Sequence, residues 1–519
     1  MEPLLLTGDD LNIDNLLEVV RGRPVALDAS ALPKIDRARK AVDTLVSEGR
    51  VVYGITTGFG HFKDRIIPSD QVRQLQENLV RSHAVGVGDE LAEEVVRAML
   101  LVRANTLSKG HSGARKEVIQ LMLDMLNNGI HPCIPSQGSL GASGDLAPLA
   151  HLALVLLGEG EARVKGEKVS GLEALESAKL KPIQLEAKEG LAVLNGTTLM
   201  VGWGSLLVRR GINLALTADI VACLTLEALH GTDRAYDPRV HAVRPHPRQM
   251  ECAKFLCKLI DGSQFLRGDD PLNVQDPYTL RCVPQVHGAV RDAIAYAQWV
   301  MDIELNAVND NPIIFVDEET EEIDVISAGN FHGEPIAFGM DYMKLGLTDL
   351  GNMSERRIAR LVDADCNHDI LPMFLTQNGG LESGYMIAQY TAAALANENK
   401  VLVHPASADS IPSSANTEDH VSMGATAAKH LAQVVKNTET IIAIELLAAA
   451  QGIDFRRQLM NKPEALLGKG TKVAYDLLRQ DVPFLDRDVY LAPHIEAARK
   501  LVSSGALKEA VEATLEEAS

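Results

Sequence analysis

Residues 422–450 read SMGATAAKHLAQVVKNTETIIAIELLAAA, a proline-free and largely apolar run. Apolar side chains recur along this run with the spacing of one helix face. The stripe consists of Leu431, Val434, Val435, Ile442 and Leu446. A long helix with such a stripe is stabilised mainly by packing against other helices. The run therefore predicts a core helix of a helical bundle.

Other segments repeat the helical pattern. Long apolar runs occupy residues 201–229, 288–304 and 382–399, and shorter helices are predicted at 33–49, 93–108, 113–127 and beyond about 463. Strand signals are confined to a hairpin near residues 163–169, a pair at 313–316 and 323–326, and a short extended piece at 51–55. These patterns predict a mainly α fold with minor β hairpins.

The change in helix length along the chain suggests three parts. We expect an N-terminal domain at residues 1–200, a central long-helix bundle at 201–462, and shorter C-terminal helices at 463–519 that pack on the bundle.

Charge and cysteine usage exclude several classes of protein. Seventy acidic against fifty basic residues among 519 give a net charge of -20, and no basic run appears, so neither nucleic acid nor an anionic membrane is an expected partner. Six scattered cysteines without a Cys-x-x-Cys pair favour a reducing, cytoplasmic location. The N-terminus lacks the pattern of a signal peptide. The apolar run at 206–229 contains Arg209, Arg210 and Asp219, which favours a buried helix over a membrane span.

The chemically most informative stretch is GSLGASGDLAPLAH at residues 138–151. Within it, the amide nitrogen of Gly144 can attack the carbonyl carbon of Ala142 and close a five-membered ring. Loss of one water from the ring and of the Ser143 hydroxyl as a second water leaves an exocyclic methylidene, which is an electrophile. Gly144 has no Cβ to block the close backbone approach that this needs. The alternative interpretation is a polar loop that leads into a helix.

This stretch resembles the signature of the aromatic amino acid ammonia-lyases, and the resemblance recurs from Tyr53 to about His420. It implies a methylidene-imidazolone (MIO) cofactor built from Ala142, Ser143 and Gly144, with no metal or nucleotide cofactor. It also implies elimination of ammonia from a small amino acid substrate, and a homotetramer whose active sites are shared by three chains.

The resemblance also assigns roles to single residues. Tyr53 matches the base, Tyr278 a residue beside the electrophile, and Arg281 the partner of the substrate carboxylate. The remaining matches to substrate-binding positions are Gln275, Asn195 and the shielding aromatic Phe331. A free phenol has a pKa of about 10, so a tyrosine base requires stabilisation of its phenolate.

Two positions bear on the substrate. His83 and Glu418 favour an imidazole ring, because a carboxylate can accept its N–H, whereas a phenyl ring would leave that charge desolvated without a partner. We therefore expect L-histidine to be converted to trans-urocanate, the first step of histidine degradation. Phenylalanine or tyrosine lyase activity and aminomutase activity are the alternatives within the family. Thr417, Glu382 and Thr56 depart from the usual histidine pattern.

Other motifs give weaker signals. A serine amidohydrolase that uses Ser143 as a nucleophile is the alternative from a different class, and a purely structural helical scaffold is a third. His332 with Glu334, or Cys252 with Cys257, offers two metal ligands, and neither pair has a second pair at suitable spacing. A structural role is therefore favoured for both pairs.

Overall fold

A computed structural model of the chain describes residues 1–517. Within that range the chain is mainly helical. Its α-helices are α1 Ile13–Val20, α2 Leu32–Ser47, α3 Val72–His83, α4 Glu93–Ser108, α5 Lys116–Asn127, α6 Leu146–Leu156, α7 Gly171–Ser177, α8 Glu189–Leu194, α9 Thr198–Ala228, α10 Pro238–Ala242, α11 Pro247–Leu259, α12 Tyr278–Arg281, α13 Val283–Glu304, α14 Glu334–Val362, α15 Met386–Leu402, α16 Gly424–Leu459, α17 Lys469–Asp481, α18 Ala492–Ser504 and α19 Ala506–Glu517.

The strands are short and form small sheets. They are β1 Leu4–Leu6, β2 Val25–Leu27, β3 Val87–Glu90, β4 Ile130–Pro132, β5 Pro135–Gln137, β6 Glu161–Val164, β7 Glu167–Ser170, β8 Ile313–Val316 and β9 Ile323–Ile326. Strand β1 pairs with β2 in parallel, whereas β3–β5, β4–β6–β7 and β8–β9 are antiparallel.

One compact unit contains residues Met1–Leu206, Ala297–Asp341 and Pro405–Lys429. Helix α4 forms its centre, since residues 95–108 are all buried, and α4 packs on α1 and α5. Helix α6 packs on α3 and α8. These contacts fix the loop that precedes α6 against the residues that follow α8.

The other unit contains Leu207–Tyr296, Tyr342–His404 and the described residues from His430 onward. Its core contains a buried ion pair. Arg357 donates to both carboxylate oxygens of Glu445 at 2.5 and 2.9 Å, and Thr225 donates to the same carboxylate at 2.7 Å. The C-terminal helices pack together, α19 against α17 and α18.

The structure confirms most of the sequence-based elements. The fold is mainly α, the helix at 93–108 and both strands of the pair β8–β9 have the predicted bounds, and the stripe on α16 is fully buried. Helix α9 is long and apolar enough to cross a membrane, but 89% of its most apolar window is buried in the protein, as in a core helix. The division at residues 200 and 462 stays a prediction.

One local prediction is wrong. Residues 53–56 form a turn instead of an extended piece. The Thr56 hydroxyl accepts the Val52 N–H at 2.9 Å and donates to the Arg50 carbonyl at 2.6 Å, and Thr57 accepts the Gly54 N–H at 3.2 Å. Threonine hydroxyls that bond to nearby backbone compete with an extended conformation.

Candidate active site

The loop before α6 has a conformation that requires glycine. Gly144 has φ +70°, and a Cβ at this position would lie 2.2 Å from the carbonyl oxygen of Gly196. The next residue, Asp145, donates its N–H to that same oxygen at 2.8 Å. The close backbone approach expected at Gly144 is therefore present, and its neighbour is the turn that follows α8.

Surrounding segments hold the loop in place. The carbonyl oxygen of Gly141 accepts the Ser422 hydroxyl at 3.0 Å and the Gly333 N–H at 3.3 Å. The Leu140 carbonyl accepts the Met423 N–H at 2.8 Å. Ala142 is buried. The Ala142-Ser143-Gly144 tripeptide is thus fixed on both sides by backbone contacts.

Asp145 anchors the end of the loop. Its carboxylate accepts the Ser139 hydroxyl at 2.8 Å and the Met200 N–H at 3.0 Å. Complete burial raises the pKa of Asp145 to about 6, although these hydrogen bonds oppose the shift. Keeping Asp145 ionised in the folded protein therefore costs free energy of folding. Its hydrogen bonds to Ser139 and Met200 hold the end of the loop in place.

Ser143 lies at a cavity of about 850 Å³ in the first unit. Five of the predicted site residues line it together, each from a different part of the sequence. They are Tyr53, His83, Ser143, Asn195 and Glu418. Phe59 and Phe62 add apolar wall. A concave site with a few converging polar groups is the usual form of a small-molecule site.

Glu418 makes the direct contact with Ser143. Its Oε1 accepts the Ser143 hydroxyl at 2.9 Å, and its Oε2 accepts the Ser413 hydroxyl at 2.9 Å. The backbones of residues 413 and 418 also pair, at 2.9 and 3.3 Å. Both carboxylate oxygens are therefore oriented before any ligand binds.

The turn between those two residues is strained. Ser414, Ala415 and Asn416 have φ values of 50°, 53° and 64°. Each non-glycine residue in this left-handed region costs roughly 1–2 kcal/mol. Residues in this region cluster at functional sites, and Glu418, which follows the turn, lines the cavity.

Tyr53 and His83 face the same cavity. The Tyr53 hydroxyl oxygen accepts the Gly60 N–H at 3.3 Å, a contact that stabilises negative charge on this oxygen. His83 ends helix α3, and its Nδ1 lies 3.0 Å from the Ser82 hydroxyl. Burial lowers the pKa of His83, although a hydrogen bond to Leu79 and the charge of Glu418 oppose this shift. The imidazole is therefore neutral at pH 7.

Asn195 lines the cavity and has an unpaired buried acceptor. It ends helix α8, is 4% exposed, and donates its side-chain N–H to the Asn311 carbonyl at 3.4 Å. Its Oδ1 is buried and has no hydrogen-bond partner among the described residues. An unpaired buried acceptor is costly, so Asn195 has hydrogen-bonding capacity that the described residues do not use.

Charged residues behind Asn195 were missed in the sequence. Arg103 is fully buried and donates to the Asn195 carbonyl at 2.9 Å, and burial lowers its pKa to about 10. Lys188 and Asp310 form a fully buried ion pair at 2.8 Å. The sequence does contain one signal for this group. Arg103 lies among apolar residues in α4, and such a position does not fit an arginine on a solvated helix face.

The remaining predicted residues lie elsewhere. Gln275, Tyr278 and Arg281 are in the second unit, where the Arg281 guanidinium lies 4.5 Å from the centre of the Tyr278 ring. Tyr278 is 69% exposed. Phe331 is half-buried in the turn before α14. None of these four is among the residues that line the cavity.

Comparison with known proteins gives consistent matches over the whole chain. The sequence profile of the aromatic amino acid lyases matches residues 11–480. A histidine ammonia-lyase from Chloroflexus aurantiacus is 55% identical over 511 residues, which cover 98% of this chain and 97% of the relative. The crystal structure of histidine ammonia-lyase from Trypanosoma cruzi has a TM-score of 0.90 at 41% identity, covering 99% of this chain and 96% of that one. A tyrosine aminomutase from Streptomyces globisporus has a TM-score of 0.92 at 36% identity, with 99% of each chain covered.

Proposed function

Because this chain belongs to the aromatic amino acid lyase family, we propose that it eliminates ammonia from L-histidine to give trans-urocanate. The reaction makes the protein a carbon–nitrogen lyase that begins histidine degradation. The single observation that carries the choice of substrate is the position of Glu418, whose carboxylate lies at the cavity beside Ser143, together with His83.

The residues around Ser143 fit an MIO group formed from Ala142, Ser143 and Gly144. The left-handed φ of Gly144 and its contact with Gly196 admit no Cβ, and Asn195, whose Oδ1 is unpaired, lines the same cavity. When formed, MIO supplies an electrophilic methylidene carbon for capture of the substrate amine or ring. Loss of the Ser143 hydroxyl also leaves Oε1 of Glu418 without its present partner.

Glu418 then recognises the substrate ring. Its Oε1 accepts an imidazole N–H, while the Ser413 hydroxyl continues to hold Oε2. A neutral His83 adds no positive charge beside the ring. A phenyl ring offers no N–H, so phenylalanine would leave the carboxylate desolvated, at a cost of several kcal/mol.

Tyr53 takes the β-proton of the substrate in this mechanism. The Gly60 N–H that points at its oxygen stabilises the phenolate. A base must lie within hydrogen-bond reach of the proton it removes, and Tyr53 lines the same cavity as Ser143. Asn195 lines the same cavity and contacts the substrate end of the reactive group.

Arg281 grips the substrate carboxylate in a bidentate pair, with Tyr278 and Gln275 nearby, and Phe331 shields the site. We propose that this set is completed in a homotetramer in which several chains share each site. The exposure of Tyr278, Leu272 and Val274, at 69, 96 and 81%, supports a covering partner chain. The six cysteines are free thiols, which supports a cytoplasmic location.

Assays of product formation test the proposal. Purified protein is incubated separately with L-histidine, L-phenylalanine and L-tyrosine, and urocanate, cinnamate and coumarate are followed by ultraviolet absorbance. We expect urocanate from histidine and its loss in Ser143→Ala. Cinnamate or coumarate without urocanate would contradict the substrate, and β-amino acid products would identify an aminomutase. Labelling of Ser143 by a fluorophosphonate would identify a hydrolase instead.

A further inference from the structure

Three potential metal ligands converge outside the cavity. His332 and Glu334 are close in sequence, and the structure adds His420 from a segment far along the chain. The Glu334 Oε2 lies 3.9 Å from His332 Nδ1 and 3.7 Å from His420 Nε2. One donor atom from each residue falls within 4.8 Å of the others. The third ligand that the sequence lacked is therefore present.

The hydrogen bonds of His332 place the lone pair of the ring on the nitrogen that faces Glu334. Its Nε2 faces the carbonyl oxygen of His420 at 3.3 Å. A carbonyl oxygen only accepts, so Nε2 carries the ring proton and Nδ1 carries the lone pair. Nδ1 faces Glu334 and at present accepts only a long, 3.3 Å contact from the Glu334 N–H. Metal-binding histidines typically donate their other N–H to an oxygen in this way.

The carboxylate and the second imidazole are also available. Glu334 Oε2 is buried and accepts no hydrogen bond from the described residues. The His332 and His420 rings stack with centroids 5.6 Å apart and an interplanar angle of 3°. The two imidazoles are therefore held parallel, with the carboxylate oxygen near a nitrogen of each.

The spacing matches a small divalent metal ion. Ligand atoms about 2.0–2.2 Å from a tetrahedral zinc ion lie roughly 3.3–3.6 Å from one another. Contractions of a few tenths of an ångström bring the two contacts of Glu334 Oε2, at 3.9 and 3.7 Å, close to this range, and all three donor atoms already lie within 4.8 Å of one another. We propose that His332, Glu334 and His420 bind a divalent transition metal of the zinc class, with a fourth position open to water. Imidazole with carboxylate suits zinc better than magnesium or calcium.

The other cluster of similar composition does not suit a cation. Asp219, Cys252 and His287 are buried together, but the Arg291 guanidinium already pairs with Asp219. That fixed positive charge occupies the place of a metal and opposes a second cation. No comparable cation neighbours the triad of His332, Glu334 and His420 among the described ion pairs.

A bound ion would connect two segments that contact the Ser143 loop. Gly333, next to His332, donates to the Gly141 carbonyl at 3.3 Å. His420 lies two residues after Glu418, which accepts the Ser143 hydroxyl. The ion would hold these segments together, so it should raise the thermal stability of the protein. The site itself does not depend on the proposed lyase activity.

Metal titration of the full chain tests this inference. Chelator-treated protein is titrated with Zn²⁺ against a chromophoric chelator, and Co²⁺ is used as a spectroscopic probe. We expect one Zn²⁺ per chain and a tetrahedral Co²⁺ spectrum. His420→Ala and His332→Ala should each lower the zinc affinity by at least about 100-fold, and Glu334→Gln should also weaken binding.

His246→Ala, at an exposed histidine far from any such cluster in sequence, serves as the matched control and should bind as the wild type does. Far-ultraviolet circular dichroism verifies that each variant is folded. His420 is largely exposed, so its replacement should not affect folding. Absence of a stoichiometric zinc site, or unchanged affinity in His420→Ala, would overturn the inference, whether or not the chain acts on histidine.

Discussion

The cavity wall and the long helices both contain charged or polar side chains that are buried or half-buried, but these side chains are paired differently in the two regions. In the helices, Arg357 and Glu445 are fully buried, and the carboxylate receives three hydrogen bonds. In the cavity wall, Asn195 leaves an oxygen unpaired, and Glu418 is held only by two serine hydroxyls, one of which belongs to Ser143. Unpaired buried groups cost roughly 1–3 kcal/mol each. The cavity wall therefore has hydrogen-bonding groups that remain available to a ligand, whereas those of Arg357 and Glu445 are already paired with each other.

The backbone is also regular in the long helices and irregular beside the cavity. Helix α16 runs without interruption from Gly424 to Leu459. The turn at residues 414–416 has three consecutive left-handed residues that are not glycine. Stability is therefore concentrated in the regular helices, whereas the irregular loop at 414–416 holds strained residues beside a reactive site.

The largest structural effect is expected at Gly144. In Gly144→Ala, a Cβ would lie 2.2 Å from the Gly196 oxygen, so the loop must move and ring closure should fail. We expect a loss above roughly 4 kcal/mol in the free energy of unfolding. Gly129→Ala is the matched control, because Gly129 has φ +67° and nothing within 4 Å of an added Cβ. It should lose only about 1–2 kcal/mol. Equal losses in thermal unfolding experiments would show that the contact with Gly196 is unimportant.

A pair of glutamate substitutions separates binding from stability. Glu418→Gln should lower kcat/KM for histidine by roughly 10–100-fold, because a charged hydrogen-bond acceptor is lost, with little change in stability. Glu445→Gln should lower the free energy of unfolding by about 3–5 kcal/mol, since it leaves Arg357 buried without its charge partner. Steady-state kinetics gives kcat/KM, and denaturant unfolding gives the free energy of unfolding, for both variants. Loss of the same property in both variants would show that Glu418 and Glu445 do not differ in role.

The buried carboxylate of Asp145 should make stability depend on pH. Its folded pKa of about 6 exceeds its ordinary value of about 4, so between these values the folded state binds a proton that the unfolded chain releases. The free energy of unfolding therefore decreases as pH rises from about 4 to about 6, by up to roughly 3 kcal/mol. Asp145→Asn should flatten this part of the profile in thermal unfolding. Asp36→Asn, at an exposed position on α2, should keep the wild-type slope, and an unchanged slope in Asp145→Asn would refute the assignment.

The smallest expected effect concerns the hydroxyl that holds Glu418. Ser413→Ala removes the donor to Oε2 and should reduce kcat/KM for histidine by about tenfold, because a charged hydrogen bond is lost. Ser410→Ala removes a hydroxyl from the same segment that contacts only the Val421 N–H. Kinetic assays should find this control close to the wild type. A Ser413→Ala enzyme with full activity would show that Glu418 is oriented by its backbone alone.

The sequence predicts correctly those features that depend on residues close together in the chain. The stripe of α16 and the glycine at 144 could be recognised because each reflects a requirement of its own neighbourhood. The contact of Ser143 with Glu418 spans 275 positions, and the support of Asn195 by Arg103 spans 92, so neither follows from spacing. The turn at Tyr53 was missed because threonine bonds to nearby backbone outweighed strand propensity.

The most direct measurement is the intact mass of the purified chain, with the peptide containing residues 142–144 examined after digestion. We expect the wild type to be lighter than its calculated mass by two water molecules, and Ser143→Ala to lack activity and fail to form the mature group. Ser410→Ala, which removes a hydroxyl outside this loop, should retain the loss of two waters. A fully active wild type with the complete calculated mass and an intact Ser143 hydroxyl would contradict the formation of MIO from Ala142, Ser143 and Gly144.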